Sequence, residues 1–283
     1  MTAYPSTVVF STGNIITTGR TIAPLEKSNQ ELINSLRQNF KEASDINRSS
    51  DTKVISSLPA HSGIASWIQE KDETLYVPGL TEPAGLNEER EEYDITVKLF
   101  YLPDVPVSER CTHTRIALDY VLEELRVAYI DLLIVSFPNI SFDAEDLSSN
   151  TEPSNEEVEE WIQTYKTLEA LHSQGKIRRI GLAEFGVARL EKILPNTNIK
   201  PSVDQINVRD CCVVPKPLIR FAKEQKIELL THNDCTNILP SSSLHNLLQE
   251  DGTLFSHFKN IDPQWVIKYT AVIQDRGVVE NKG

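Results

Sequence analysis

The fold class this sequence predicts is α/β, a barrel of eight parallel strands, and three observations carry the prediction. From Tyr93 onward short apolar runs alternate with segments of helical period. Six strand-type runs lie between Tyr93 and the end, and two more precede Tyr93. The chain has 283 residues, and an α/β barrel forms as one domain of roughly 250 residues. A doubly wound open sheet is the alternative architecture.

The first strand is read at "STVVFSTGNI" (6–15), the first helix at "QELINSLRQNFKEA" (30–43) and a second strand at "DTKVISSLP" (51–59). Residues 44–92 are otherwise polar with scattered Gly and Pro, the composition of loops. "YDITVKLF" (93–100) is β-branched and apolar, and "TRIALDYVLEEL" (114–125) places Leu118, Val121, Leu122 and Leu125 on one helical face. "YIDLLIVSF" (129–137) is a continuous run of the buried-strand type. Ser154 with Glu157 forms a capping box for the helix carrying Val158, Trp161, Ile162 and Tyr165, and Gly175 stops it.

"KIRRIGLAEF" (176–185) is the next strand, and Leu190, Ile193 and Leu194 belong to a short helix closed by Pro195. Then come a strand at 201–208, a helix at 216–225, a strand at 226–233 and a helix at 242–250. "PQWVIKYTAVIQD" (263–275) reads as a helix and "RGVVE" (276–280) as the last strand. The whole chain, 1–283, is read as a single domain with an irregular N-terminal third.

Composition excludes several classes of function. No run of 18 apolar residues could span a bilayer, so no membrane partner is expected. "MTAYPSTVVFSTGN" lacks the basic and apolar blocks of a leader, which makes the cytoplasm the expected compartment. The net charge of −13 repels polyanions, so nucleic acid is not an expected partner. Phosphate-binding loops, nucleophile elbows, zinc-hydrolase motifs and dinucleotide fingerprints are all missing. The four cysteines (Cys111, Cys211, Cys212, Cys235) make no C-x-x-C pair, so free thiols and no metal are expected.

Two features stand out locally. "FDAEDLSSNTEPSNEEVEE" (142–160) carries eight carboxylates and no base, which suits either a solvated loop leading into a helix N-terminus or a docking surface for a basic partner. The vicinal Cys211 and Cys212 follow one predicted strand, and His232, Asn233 and Asp234 follow the next. They are partner or redox candidates, with buried packing as the plain alternative.

The strand ends "TVKLF" (96–100), "DLLIVSFP" (131–138), "GKIRRIGLAEF" (175–185), "DQINV" (204–208) and "IELLTHND" (227–234) resemble the aldo-keto reductase family from Tyr93 onward. That resemblance implies a barrel of aldo-keto reductase type and a site with a proton-donating tyrosine, a lysine paired with an aspartate, and a histidine. Lys98 stands at the lysine's place, and Ser136 stands where the histidine would be. The family's Asp and Tyr lie five positions apart, and no Asp here has a Tyr five residues later. Of the cofactor contacts, Ala183-Glu184 replaces a Ser-Asn pair, Gln205 is retained, His232 replaces a stacking tyrosine, and Lys282 is the one base near the end.

"DQINVRDCCVVPKPLIRFAKEQKIELLTHNDCTNIL" and "VIKYTAVIQDRGVVENKG" resemble, more narrowly, the regulatory subunits of glutamate-cysteine ligase. This implies a barrel without reductase activity and without a bound cofactor. Its partner would be the catalytic subunit of glutamate-cysteine ligase, in a heterodimer whose glutamate affinity and glutathione feedback it modulates. The enzymatic alternative is an NADPH-dependent reductase of small carbonyls with Tyr76 or Tyr93 as its acid. A third reading keeps Lys98 and Gln205 as remnants of a pocket that still binds NADPH.

Overall fold

The computed structural model describes residues 7–17, 27–49, 68–71, 74–79, 85–142, 152–207, 214–250 and 261–283. Their strands are β1 (Thr7–Phe10), β2 (Gln69–Lys71), β3 (Thr74–Val77), β4 (Tyr93–Tyr101), β5 (Ile130–Ser136), β6 (Ile177–Ala183), β7 (Val203–Asn207), β8 (Glu228–His232), β9 (Trp265–Ile273) and β10 (Val278–Lys282). The helices are α1 (Ser28–Ser49), α2 (Val107–Leu125), α3 (Asn155–Ser173), α4 (Val187–Ile193), α5 (Lys216–Gln225) and α6 (Ser241–Glu250). The α/β alternation read from Tyr93 holds through α6, and the Ser154–Glu157 capping box is present in both directions.

The main sheet has seven strands in the order β10-β9-β4-β5-β6-β7-β8. β4 to β8 are parallel and in sequence order, so the doubly wound alternative, which needs a reversal of strand order, does not describe them. Their helix-facing side chains, among them Val97, Leu99, Leu133, Val135, Ile180, Leu182 and Ile206, pack with Leu118, Val121, Trp161, Leu168, Leu190 and Leu218 of α2–α5 as the principal core. The opposite face carries Lys98, Ile134, Gly181 and Val203 in one register row, and Ala183, Gln205 and Leu230 in the next. Gly181 has a packing reason there, because a Cβ would stand 2.9 Å from Ile134 Cγ1.

That face is curled. β4 and β8 are four strand spacings apart, about 19 Å in a flat sheet, which is beyond the combined reach of two side chains. Yet Lys98 Nζ on β4 lies 2.9 Å from Oδ2 of Asp234, two residues past β8. The strands therefore bend toward one another as in a barrel wall, with the segment after β8 crossing the opening.

Three elements differ from the sequence reading. Residues 263–275 were expected as a helix, but their ordered core is strand β9. The stretch is rich in Val, Ile and Thr, it buries alternate residues at Tyr269, Ala271 and Ile273, and it pairs antiparallel with β4 along nine residues. β10 returns antiparallel on β9, so the last strand forms a hairpin with β9 where a barrel-closing parallel strand was expected. β1 joins β3 and β2 in a separate three-stranded sheet, and β2 and β3 lie within the stretch read as loop. The strand expected at 51–59 lies outside the described residues. The eight-stranded plan is thus realised, among the described residues, as five parallel barrel strands flanked by an antiparallel pair.

Candidate functional site: the rim at the strand C-termini

Lys98 points from β4 into the curled face and is 6% exposed. Its ammonium meets the Asp234 carboxylate at 2.9 Å, and Lys268 of β9, paired with Lys98 in register, meets the other oxygen at 2.7 Å. Burial would raise the Asp234 carboxyl, but Lys98 and then Lys268 outweigh it and hold the group below the usual carboxylate range. Burial pulls the Lys98 ammonium down against the attraction of Asp234. A buried pair of this kind is costly to break from one side, because the survivor keeps its charge without a partner.

His232 and Glu184 extend the network. The Asp234 N–H donates to His232 Nδ1 at 3.1 Å, so the ring proton of the neutral tautomer sits on Nε2. Nε2 lies 2.6 Å from Glu184 Oε1, at an angle that leaves Nε2 without a hydrogen bond. Glu184 follows β6 with φ of 68°, a conformation uncommon outside glycine, and its Oε2 accepts the Phe142 N–H at 2.6 Å. Asn207 of β7 donates to the Asp234 carbonyl at 3.1 Å, and the Cys235 N–H donates to Ser28 of α1 at 2.8 Å. The Thr-His-Asn-Asp-Cys segment therefore ties β4, β6, β7, β9 and α1 together.

Four residues singled out from the sequence, Lys98, Glu184, His232 and Asp234, meet here. Asn233 is exposed beside them. Gln205 is on the same face, but its Oε1 is buried without a partner. Ser136 stands at the end of β5 opposite Phe100. Lys282 lies at the far edge of the sheet, on β10, paired with Glu31 of α1, so it does not join the others. Cys211 and Cys212 fall outside the described residues, as do residues 143–151 of the acidic segment. Its described part is less free of bases than the sequence suggested: Glu152 pairs with Lys192 at 3.3 Å and Glu160 contacts Arg110 at 3.4 Å.

The tyrosines proposed as a proton donor stand elsewhere. Tyr93 begins β4, five residues before Lys98, which puts it about 17 Å away and on the opposite face; its hydroxyl donates to Glu280 at 2.6 Å. Tyr76 stacks on Tyr120 of α2, with ring centroids 6.2 Å apart. Sequence reasoning missed Lys268, inside the stretch read as a helix, and Asp204, fully buried on β7. Burial pushes the Asp204 carboxyl well up, and Oδ1 accepts the Phe185 N–H at 3.3 Å while Oδ2 has no partner. No group of His, Cys, Asp and Glu among the described residues could hold a metal ion, and no described helix is long and apolar enough to cross a membrane.

Parallel barrel strands, a lysine on β4 facing the curled interior and polar groups gathered at the strand C-termini define a protein of the reductase-barrel class. The chain belongs to the aldo/keto reductase family, whose sequence model matches residues 69–245. Among its relatives, the human glutamate–cysteine ligase regulatory subunit is 32% identical over 197 residues, 69% of this chain and 66% of the human protein. A Schizosaccharomyces pombe protein provisionally given the same name is 30% identical over 225 residues, 76% of this chain and 77% of that protein. Of solved structures, an aldo-keto reductase from a Medee basin deep-sea metagenome library aligns over 51% of this chain and 45% of its own, at 25% identity and a TM-score of 0.37.

Proposed function

We propose that this chain is a non-catalytic regulatory subunit of glutamate-cysteine ligase, acting in the cytoplasm as a heterodimer with the catalytic subunit. The observation that carries the reading is the company Lys98 keeps. A reductase sets a tyrosine beside its lysine–aspartate pair; here the candidate tyrosines stand elsewhere, Tyr93 on Glu280 and Tyr76 on Tyr120. Lys98 shares the Asp234 carboxylate with a second lysine, Lys268. His232 and Glu184 fill the same rim. The names of the human and S. pombe relatives support the assignment to glutathione synthesis.

In this reading the rim is a rigid cross-brace and needs no cofactor. A regulatory subunit acts by binding two conformations of its partner with different affinity, since equal affinity shifts no equilibrium. A coupling of about 1–3 kcal/mol is the usual allosteric range. The test is reconstitution with the ligase catalytic subunit. The expected result is a stable complex with a lower KM for glutamate and weaker inhibition by glutathione; a catalytic subunit with unchanged kinetics at saturating amounts of this chain would refute the proposal.

A further inference from the structure

Arg110, in the first turns of α2, is 4% exposed. Its guanidinium carbon lies 5.7 Å from the Tyr101 ring centre and 5.8 Å from that of Phe137. Its Nη2 makes one long contact, 3.4 Å, to Glu160 Oε2 on α3, while Nε and Nη1 are buried without any hydrogen-bond partner. The Tyr101 hydroxyl is bonded to Thr114 at 2.8 Å and makes no hydrogen bond to these nitrogens. A buried guanidinium with most of its fork unpaired is costly, and its usual complement is a carboxylate or phosphate that accepts two parallel bonds.

We propose that Arg110 is a receptor for a single carboxylate group, entering between α2 and α3 where Glu160 now stands as a loose placeholder. The Glu160 side chain is 47% exposed and can swing outward from α3. A doubly charged phosphate is disfavoured by the acidic neighbourhood in sequence, because Glu109 precedes Arg110, Glu156, Glu157 and Glu159 lie within about a turn of Glu160, and all four are exposed. A singly charged carboxylate neutralises the arginine, and Trp161 and Phe185, 5.0 Å apart between ring centres, extend the aromatic wall beside Phe137. The site is separate from the Asp234 rim and independent of the function proposed above.

The test is nuclear magnetic resonance of the Arg110 Nε–H in the full chain, titrated with sodium formate against sodium chloride at constant ionic strength. Arg110→Lys identifies the resonance by its loss. The expected result is a saturable shift with formate, with affinity raised several-fold in Glu160→Gln, which removes the competing charge. No saturable shift in either the unmodified chain or Glu160→Gln would overturn the proposal. Adding the ligase catalytic subunit separates the two sources of such a group. A partner's acidic side chain would move the resonance and exclude formate, and Arg110→Lys would weaken the complex by roughly 30-fold, the loss of an interface hot spot. Formate binding unchanged by the subunit assigns the site to a free acid.

Discussion

The two ends of the parallel sheet carry polar networks of similar chemistry and different reach. At the strand N-termini, Arg90 meets Asp131 at 2.6 Å, the Ile95 N–H donates to the same carboxylate at 2.8 Å, and Tyr93 donates to Glu280. These bonds join β4 to its neighbour β5 and to the nearby hairpin. At the C-termini, Asp234 joins β8 to β4 and β9, across the width of the sheet. A network between neighbours fixes register; one between distant strands fixes curvature. In a parallel barrel the strand C-termini are also where active sites sit, and here that end holds the Asp234 brace.

The largest effect expected from breaking this contrast is at Asp234. Asp234→Ala leaves Lys98 buried and unpaired, and urea unfolding is expected to show a loss of about 3–5 kcal/mol. Replacing both partners, as in Lys98→Met with Asp234→Leu, is expected to recover most of it. Acid sharpens the same point. The folded-state carboxyl of Asp234 is depressed, so its contribution is present above the ordinary aspartate range and is lost as pH falls through and below it. Asp234→Asn is expected to flatten that part of the stability profile, measured by urea midpoints from neutral pH downward.

Between the two rims, Gly181→Ala places a methyl group 2.9 Å from Ile134. The overpacking is expected to cost about 1–3 kcal/mol and to be relieved in part by Ile134→Val. The smallest effect belongs to the N-terminal rim. Tyr93→Phe removes the bond to Glu280, whose other oxygen still accepts from Asn87 at 2.9 Å, and is expected to cost about 0.5–1.5 kcal/mol. A Tyr93 loss equal to the Asp234 loss would erase the distinction drawn between the ends.

The parallel half of the fold was legible because its signals are local: β-branched runs, helical stripes and the Ser154 capping box each lie within a few residues. The β9–β10 hairpin was misread because a 13-residue apolar stretch has the length of a helix, although Tyr269, Ala271 and Ile273 alternate as a strand does. Lys98, Glu184 and His232 were found through family positions that they keep or replace, and Asp234 through the His-Asn-Asp segment that follows a predicted strand. Their mutual pairing was not legible, since Lys98 and Asp234 are 136 positions apart and nothing in a linear pattern specifies which charge closes on which. Lys268 was lost with the misread strand. Arg110 gave no signal at all, because an arginine in a first helical turn reads as solvated until burial is known.

Whether a reductase pocket has become a brace is tested most directly by calorimetric titration of the chain with NADPH, followed by assay with a panel of aldehydes. No saturable binding and no oxidation of NADPH are expected. Saturable binding together with aldehyde reduction, both lost in Lys98→Ala, would contradict the brace.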